Sequence, residues 1–282
     1  MTFHFLLKTF LLVPLLFLLL TYTIYLFEKT NREQTQVKRI VDTGNLFFSL
    51  RILVVEYCLL LITLILWPFG FLNLKEGQDD NGQKRPVLFL HGLFLNRACG
   101  SAMKLRLRLK GWNDLHTINL PPTRDVETLT EKVGLKVDAL RIAKKCDKVD
   151  LIGHSMGSVI ARNYIQIRGG ANKVEHCILL AGPHHGSQLA PFALTKLAEA
   201  IMPGSAFLDN LNSQPLPKDV RVTNIYSRHD NLVIPFESAI LDKAHNVELT
   251  GKAHHMMLYD GEVFRNLLAA LNEETNEDSP DQ

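Results

Sequence analysis

The sequence lacks a strong charge imbalance and lacks clustered cysteines. Its 282 residues carry a formal net charge of +2, which creates no strong field for nucleic acid or an acidic partner. Its four cysteines are spread along the chain and do not pair at metal or redox spacing. No internal repeat and no Gly/Ser-rich or Pro-rich tract is present. We therefore expect no nucleic-acid partner, and the length fits one α/β domain with an appendage.

Histidine is plentiful, with 11 residues, but its spacing does not favour a metal site. Adjacent pairs such as His184-His185 cannot both readily bind one ion, and no His-x-x-x-His helix pattern occurs. We expect neither a metal nor another cofactor.

Two long hydrophobic runs dominate the N-terminal quarter. The run Thr9–Phe27 has no charge, and the run Ile52–Leu74 has one, Glu56. Both approach the roughly 20 apolar residues that span a bilayer core as helix. A signal peptide, a buried core helix and an interfacial helix are the alternatives. We predict a membrane anchor in residues 1–74, with two transmembrane helices at about 9–27 and 50–72.

The charges around these runs predict how the chain is oriented in the membrane, and the one charge inside them, Glu56, needs a location of its own. Basic residues are in excess in the loop between the runs, which favours a cytoplasmic loop: Lys29, Arg32, Lys38 and Arg39. The long C-terminal part then faces away from the cytoplasm. An ionised Glu56 at membrane depth is costly. We expect it near the interface, within reach of Arg51 or of a tyrosine, Tyr22 or Tyr25.

The remainder of the chain alternates strands and helices. Residues 75–85 are polar and turn-rich, which predicts a linker. Residues 86–272 form the main predicted domain, and residues 273–282 are predicted to be a disordered acidic tail. Apolar runs predict strands within residues 86–92, 114–120, 148–153, 173–182, 220–227 and 245–250. Such alternation predicts a mainly parallel sheet with helices on both faces. Ligands bind at the carboxyl ends of the strands in such sheets.

A serine lies between two glycines at one strand-to-helix junction, Gly153-His154-Ser155-Met156-Gly157. This context is typical of a nucleophile elbow, where side chains at the two glycine positions would collide with neighbouring backbone. A helix-capping serine is the alternative, but it explains neither glycine. We predict that Ser155 is a nucleophile.

A serine nucleophile needs a base, and the base needs an acidic residue to orient it. Asp230 follows the fifth predicted strand, and the adjacent pair His254 and His255 follows the sixth. Their chain order is that of α/β hydrolases. Spacing alone does not choose between the two histidines, and Glu237 and Asp242 are the reserve acids.

The chain resembles the α/β-hydrolase fold lipases and esterases, and most closely the small bacterial triacylglycerol lipases. Their nucleophile segment is commonly Gly-His-Ser-Met-Gly, as here. Their histidine segment, Gly-x-x-His-x-x-Leu-Leu-Tyr, aligns with Gly251, His254, Met257, Leu258 and Tyr259. The resemblance covers residues 86–272 and implies an α/β-hydrolase fold with His254 as the base.

Two further segments extend the resemblance. "FLHGLFLN" is similar to the His-Gly segment of the family, which implies an oxyanion hole from the backbone N–H groups of Leu93 and Met156, with His91 as a structural neighbour. "AGPHHGS" resembles Thr-Pro-His-His-Gly-Ser and implies that His184 and His185 support the wall of the site. Residues 187–217 are either a lid or a crossover connection.

These patterns predict a membrane-anchored serine hydrolase that cleaves carboxylic esters, with lipids as substrates and the bilayer as partner. We expect it in the bacterial inner membrane with the catalytic domain facing away from the cytoplasm. An acyltransferase or thioesterase with the same triad, and a catalytically silent membrane scaffold, are the alternatives. The sequence does not define an oligomeric state.

Overall fold

The computed structural model describes residues 2–33, 43–72 and 84–273. Two long apolar helices come first, α1 (Thr2–Glu33) and α2 (Thr43–Leu66), and a 3-10 turn, Trp67–Phe71, continues α2. Both are long and apolar enough to cross a membrane. They contain or overlap the predicted spans at 9–27 and 50–72. Most of the predicted linker, residues 75–85, lies outside the described residues.

A six-stranded, wholly parallel sheet forms the centre of the rest of the chain. The strands lie in the order β2-β1-β3-β4-β5-β6. Their bounds are β1 Val87–Leu90, β2 Leu115–Ile118, β3 Val149–His154, β4 Val174–Leu180, β5 Arg221–Ser227 and β6 His245–Leu249. The first four strands are buried along their whole length because both faces of the sheet are covered. This confirms the predicted α/β class.

Helices cover the two faces of the sheet. Their bounds are α3 Ser101–Arg108, α4 Val126–Lys144, α5 Met156–Gln166, α6 Lys196–Glu199, α7 Ala206–Ser213 and α8 Gly261–Leu271. One core cluster contains apolar residues of α4 and α5, and a second contains those of α3 and α8. Asp125 caps α4, since its Oδ1 accepts a hydrogen bond of 2.8 Å from the Thr128 N–H.

The connection between β4 and β5 is packed more tightly than an open lid. It contains a 3-10 turn, Ala190–Ala193, followed by α6 and α7. Leu197, Leu208 and Leu211 are buried in the main core, whereas Phe192 and Leu194 are exposed. Most of this segment therefore serves as a crossover connection. Of the predicted acidic tail, only Glu273 lies within the described residues.

The two N-terminal helices and the turn after α2, here called the apolar helix pair, pack against the loops at the carboxyl ends of β5 and β6. Ile52 of α2 forms a buried cluster with Ala253 and Met256. Nearer the start of α2, the Phe48 ring lies edge-on to His229, with 5.2 Å between centroids. The apolar helix pair therefore covers part of the edge where the candidate site lies.

Candidate active site

Ser155 occupies a strained turn between β3 and α5. Its backbone has φ 56° and ψ −121°, a conformation that non-glycine residues rarely adopt. Its N–H donates a 2.8 Å hydrogen bond to the Leu180 carbonyl, which ties the turn to β4. The Ser155 side chain makes no capping hydrogen bond to α5. The helix-cap interpretation therefore does not explain this serine.

The two flanking glycines are sterically required. A Cβ atom on Gly157 would lie 2.2 Å from the Leu90 carbonyl oxygen, and one on Gly153 would lie 2.6 Å from the Gly157 carbonyl oxygen. Both neighbours are backbone atoms, which cannot rotate away as a side chain could. The turn that presents Ser155 thus depends on glycine at both positions, as the sequence indicated.

Asp230 and His254 form a buried couple on the loops after β5 and β6. The His254 Nδ1–H donates to both Asp230 carboxylate oxygens, at 3.0 and 2.8 Å. The backbone N–H groups of Leu232 and Val233 donate to Asp230 Oδ1, at 2.8 and 2.9 Å. Both side chains of the couple are almost fully buried. These contacts orient the imidazole so that Nε2 is the nitrogen left for chemistry.

The charges around His254 raise its pKa above the ordinary value of 6.5. Burial acts in the opposite direction, because it disfavours the charged imidazolium. The charge and hydrogen bond of Asp230, together with the charge of Glu56, outweigh burial. His154 is fully buried beside it, with ring centroids 4.8 Å apart, and burial and the His254 charge hold the pKa of His154 well below its ordinary value. Of these two neighbouring rings, His254 is therefore the one that accepts a proton more readily.

Ser155 lies next to a residue that contacts the Asp230–His254 couple. Ser155 directly follows His154, whose Nε2–H donates to the His254 carbonyl at 3.3 Å. Among the described residues, no hydrogen bond joins the Ser155 hydroxyl to the His254 ring. Catalytic hydrogen bonds are often long without substrate and tighten on binding.

His255 points elsewhere: its Nδ1–H donates to Glu56 at 2.7 Å. The described part of the chain shows no contact between His255 and a candidate acid other than Glu56. Of the reserve acids, Glu237 pairs with Arg32 across 3.5 Å and Asp242 is exposed, and neither is hydrogen-bonded to a histidine in the described ranges.

The loop after β1 lies beside the nucleophile. A Cβ atom on Gly92 would lie 2.9 Å from Ser155 Cβ, so the backbone of this loop approaches the serine closely. Across residues 84–273, the N–H groups of Leu93 and Met156 donate no hydrogen bond to another protein group. They are available as donors to a substrate oxygen. His91 is structural, since its Nε2 accepts from the Leu120 N–H at 2.8 Å and burial lowers its pKa to about 4.

His184 and His185 are hydrogen-bonded to side chains other than Ser155 in the described residues. His184 is fully buried, and its two ring nitrogens contact Arg162 at 3.3 Å and Asn224 at 3.1 Å. In the portion of the chain that the structure describes, no cluster of three or more His, Cys, Asp or Glu side chains could hold a metal ion. The chemistry open to these groups is acid-base assisted attack by a serine hydroxyl.

Glu56 and Asn231 contact the histidine loop, and Thr21 contacts Asn231. All three are absent from the site that the sequence predicted. Glu56 is fully buried against His255. It does not contact Arg51 or a tyrosine through any hydrogen bond in the described ranges. The signal that could have found it is its position as the lone charge in an apolar run.

Comparisons with known proteins bear on the family and the fold of this chain. The family model for palmitoyl protein thioesterase matches residues 86–231, which include Ser155 and Asp230. A curated triacylglycerol lipase of Pseudomonas fragi is 29% identical over 157 residues, which is 50% of this chain and 53% of the lipase. The chain thus spans about half the length of that relative.

Solved structures share the fold. The mature lipase BlEst2 of Bacillus licheniformis superposes with a TM-score of 0.61 and 18% identity, over 70% of this chain and 95% of the lipase. Lipase B of Aspergillus fumigatus superposes with a TM-score of 0.60 and 19% identity, over 71% of this chain and 55% of that lipase. The chain therefore has the α/β-hydrolase fold of the lipase and esterase type. Because the family match spans more than half of its length, it belongs to the palmitoyl protein thioesterase family.

Proposed function

We propose that this protein is a membrane-bound serine hydrolase that cleaves carboxylic esters of lipids through an acyl-serine intermediate. The observation that carries the proposal is the buried Asp230–His254 couple, which lies beside a serine held in a strained strand-to-helix turn. A serine hydroxyl is a weak nucleophile alone, and this arrangement supplies both a base and the group that orients it.

The first half of the reaction forms the acyl-enzyme. His254 Nε2 takes the proton of the Ser155 hydroxyl while its oxygen attacks the ester carbonyl carbon. The charge that develops on the carbonyl oxygen is met by the N–H groups of Leu93 and Met156. Asp230 stabilises the imidazolium that forms. The tetrahedral intermediate then collapses, and the leaving alkoxide takes the proton from His254 and departs as the alcohol.

The second half releases the acid. A water molecule gives a proton to His254 and attacks the acyl carbon, and the same two N–H groups stabilise the second tetrahedral intermediate. Collapse breaks the bond to Ser155, and the serine oxygen takes its proton back from His254. The products are the carboxylic acid and the free enzyme.

The apolar helix pair supports a lipid substrate and a membrane location. Large apolar side chains lie exposed on it, including Leu12, Val13, Leu16, Leu20, Phe47 and Ile65. Such a surface is costly in water and favourable in a bilayer. The same helices touch the loops of the candidate site, so an ester in the membrane would be close to Ser155. We propose residues 1–74 as the anchor and residues 86–272 as the catalytic domain.

For location, we propose the bacterial inner membrane with the catalytic domain facing away from the cytoplasm. The support is the excess of basic residues between the two hydrophobic runs. Protease treatment of intact spheroplasts tests it: the catalytic domain should be digested from outside, whereas its protection until lysis would contradict the orientation.

The activity test uses the full chain in detergent micelles. Wild-type protein should hydrolyse p-nitrophenyl esters and be labelled by a fluorophosphonate probe, and Ser155→Ala should lose both. A Ser158→Ala variant is the matched control, because this neighbouring hydroxyl donates to the Gly153 carbonyl at 2.8 Å rather than facing a substrate. Labelling or hydrolysis that survives in Ser155→Ala would refute the assignment.

Thioester hydrolysis is a second candidate, favoured by the family match over residues 86–231. The same three side chains can attack a thioester carbonyl, with a thiolate as the leaving group. Comparison of kcat/KM for a palmitoyl thioester and for an oxygen ester of the same chain length separates the two. A large preference for the thioester would replace the lipid-ester proposal.

A further inference from the structure

Glu56, a carboxylate from the middle of α2, is buried against the loop that carries His254. It is 0% exposed. Its Oε1 accepts hydrogen bonds from the His255 backbone N–H at 2.8 Å and from His255 Nδ1–H at 2.7 Å. Its Oε2 accepts from the Met256 N–H at 3.0 Å. Three N–H donors thus converge on one side chain that lies 199 residues away in sequence.

The position of these donors matters because they adjoin the candidate base. The two backbone N–H groups belong to the residues immediately after His254. Fixing both peptides fixes the backbone from which the His254 ring projects. The two backbone N–H groups can only donate, so the Glu56 oxygens accept at both of these contacts.

The other apolar helix is linked to the same loop through Asn231. The His254 backbone N–H donates to Asn231 Oδ1 at 3.2 Å, and Asn231 Nδ2 donates to Thr21 Oγ1 of α1 at 3.0 Å. Asn231 directly follows Asp230. The apolar helix pair therefore reaches the couple at two places: Glu56 accepts from the peptides after His254, and Thr21 contacts the side chain of Asn231.

A purely structural account of Glu56 is less economical. Burying a carboxylate carries a large desolvation cost, and an apolar side chain at this place in an apolar helix would avoid it. Helix packing alone is already served by Ile52, which lies in the cluster with Ala253 and Met256. The three donors lie next to His254, so a role in fixing the His254 backbone explains the buried carboxylate, whereas packing does not.

We propose that Glu56 is a positioning residue for the reaction: it acts through the His255 and Met256 backbone to hold the His254 imidazole in line between Asp230 and Ser155. This rests on the proposed serine hydrolase function. It also makes the apolar helix pair part of the active site rather than a detachable anchor.

The test compares Glu56→Gln with Thr63→Val in the full chain in detergent micelles. The glutamine keeps the shape but places an NH₂ group against N–H donors. Thr63→Val removes another contact of α2 with the domain, the 2.8 Å hydrogen bond with the Tyr259 hydroxyl, away from the His254 peptides. Active sites are counted by end-point fluorophosphonate labelling, so that misfolded protein does not lower kcat.

The expected result is a split between kcat and KM. In Glu56→Gln, kcat falls by about ten- to hundredfold with KM nearly unchanged, because the base is misplaced and the ester still binds. In Thr63→Val, kcat stays at the wild-type value even if the melting temperature drops. Equal kcat per labelled site in Glu56→Gln and wild type would overturn the proposal.

The pH dependence of kcat/KM is a second measurement, and a loss of stability alone would not change it. Removing the Glu56 charge withdraws one of the groups that raise the pKa of His254, so the acid limb of kcat/KM should shift to lower pH. The titratable groups around His254 are Asp230, Glu56, His154 and His255, and Tyr22 lies close to the two acids. An unshifted limb in Glu56→Gln would count against the proposal.

A second pair of variants covers the case in which Glu56→Gln does not fold. His255→Asn keeps an N–H donor near the Nδ1 position, whereas His255→Leu removes it. The asparagine variant should lose less kcat than the leucine variant, and equal losses would overturn the proposal. Wild-type protein without any ester or thioester hydrolysis would instead refute the proposed function itself, so the two failures are distinguishable.

Discussion

Asp230 and His254 lie 24 residues apart in the sequence and meet through hydrogen bonds from one ring nitrogen to both carboxylate oxygens. An aspartate in this position does two things. It selects the tautomer in which Nδ1 carries the proton and Nε2 is free, and it stabilises the imidazolium once Nε2 has accepted a proton.

Asp230→Asn should preserve the shape of the Asp230–His254 couple but abolish its ability to orient and activate the base. The amide can donate to Nδ1 and so favour the wrong tautomer, and it carries no charge to stabilise the imidazolium. We expect kcat to fall by about three to four orders of magnitude in steady-state ester hydrolysis. Asp242→Asn, at the exposed reserve position, is the control and should match wild type. A loss of similar size in the control would assign the acid to that loop.

The pH dependence of activity follows from the raised pKa of His254. The base must be neutral, so activity is lost as pH falls through the pKa of the folded enzyme. Because Asp230 and Glu56 outweigh burial, that pKa lies above 6.5. The midpoint of the acid limb of kcat/KM for an uncharged ester should therefore lie above 6.5. A midpoint below that value would mean that burial dominates at this ring.

The fold could be predicted because its signals are local. The apolar run before Ser155 and the helical pattern after it lie next to each other in the chain, and β3 and α5 form there. The cap at Asp125 depends on a residue three positions away. Short-range patterns of this kind carry most of the information needed for a parallel sheet with crossover helices.

The contacts of the apolar helices could not be predicted, because they depend on how distant elements dock. The sequence predicted that this helix starts at about residue 50, which would place Glu56 close to its beginning. The helix begins much earlier, at Thr43, so Glu56 lies in its interior. Its partner His255 is 199 residues away, and hydropathy does not report which face of an apolar helix meets protein.

The connection after β4 shows a similar limit. Helical spacing at Leu197 and Ile201 fits both a lid and a crossover, since either would present one apolar face. Only packing against the main core distinguishes them, and both residues are buried there.

Gly157→Ala tests whether the nucleophile turn tolerates any side chain. The new Cβ would lie 2.2 Å from the Leu90 carbonyl oxygen, so β1 or α5 must shift. Overpacking typically lowers the free energy of unfolding by roughly 1–3 kcal/mol. We expect the decrease for Gly157→Ala to lie at or above the upper end of that range. Gly261→Ala is the matched control, since its nearest neighbour, an Arg265 side-chain nitrogen, is 3.8 Å away. Thermal unfolding should show a lower melting temperature for Gly157→Ala alone, and equal melting temperatures would contradict the steric account.

The dependence of the catalytic domain on the apolar helix pair gives the last prediction. A chain that starts at residue 84 would expose Ala253 and Met256, which now pack against Ile52, and would leave the His255 and Met256 N–H groups without their acceptor. Exposed apolar surface and unpaired donors both favour opening of this loop. We expect such a chain to have a lower melting temperature than the full chain in the same detergent, and to lose more than about tenfold in kcat.

The control keeps the apolar helix pair and cuts the chain. A protease site inserted within residues 75–83 should be cleavable without loss of kcat, because the non-covalent contacts remain and the two fragments should co-purify. Full activity of the chain that starts at residue 84 would show that the helices anchor the enzyme and nothing more. Activity that survives cleavage but not deletion would show that the catalytic domain requires contact with the helices. Cleavage breaks only the covalent link, whereas deletion removes the link and the contacts.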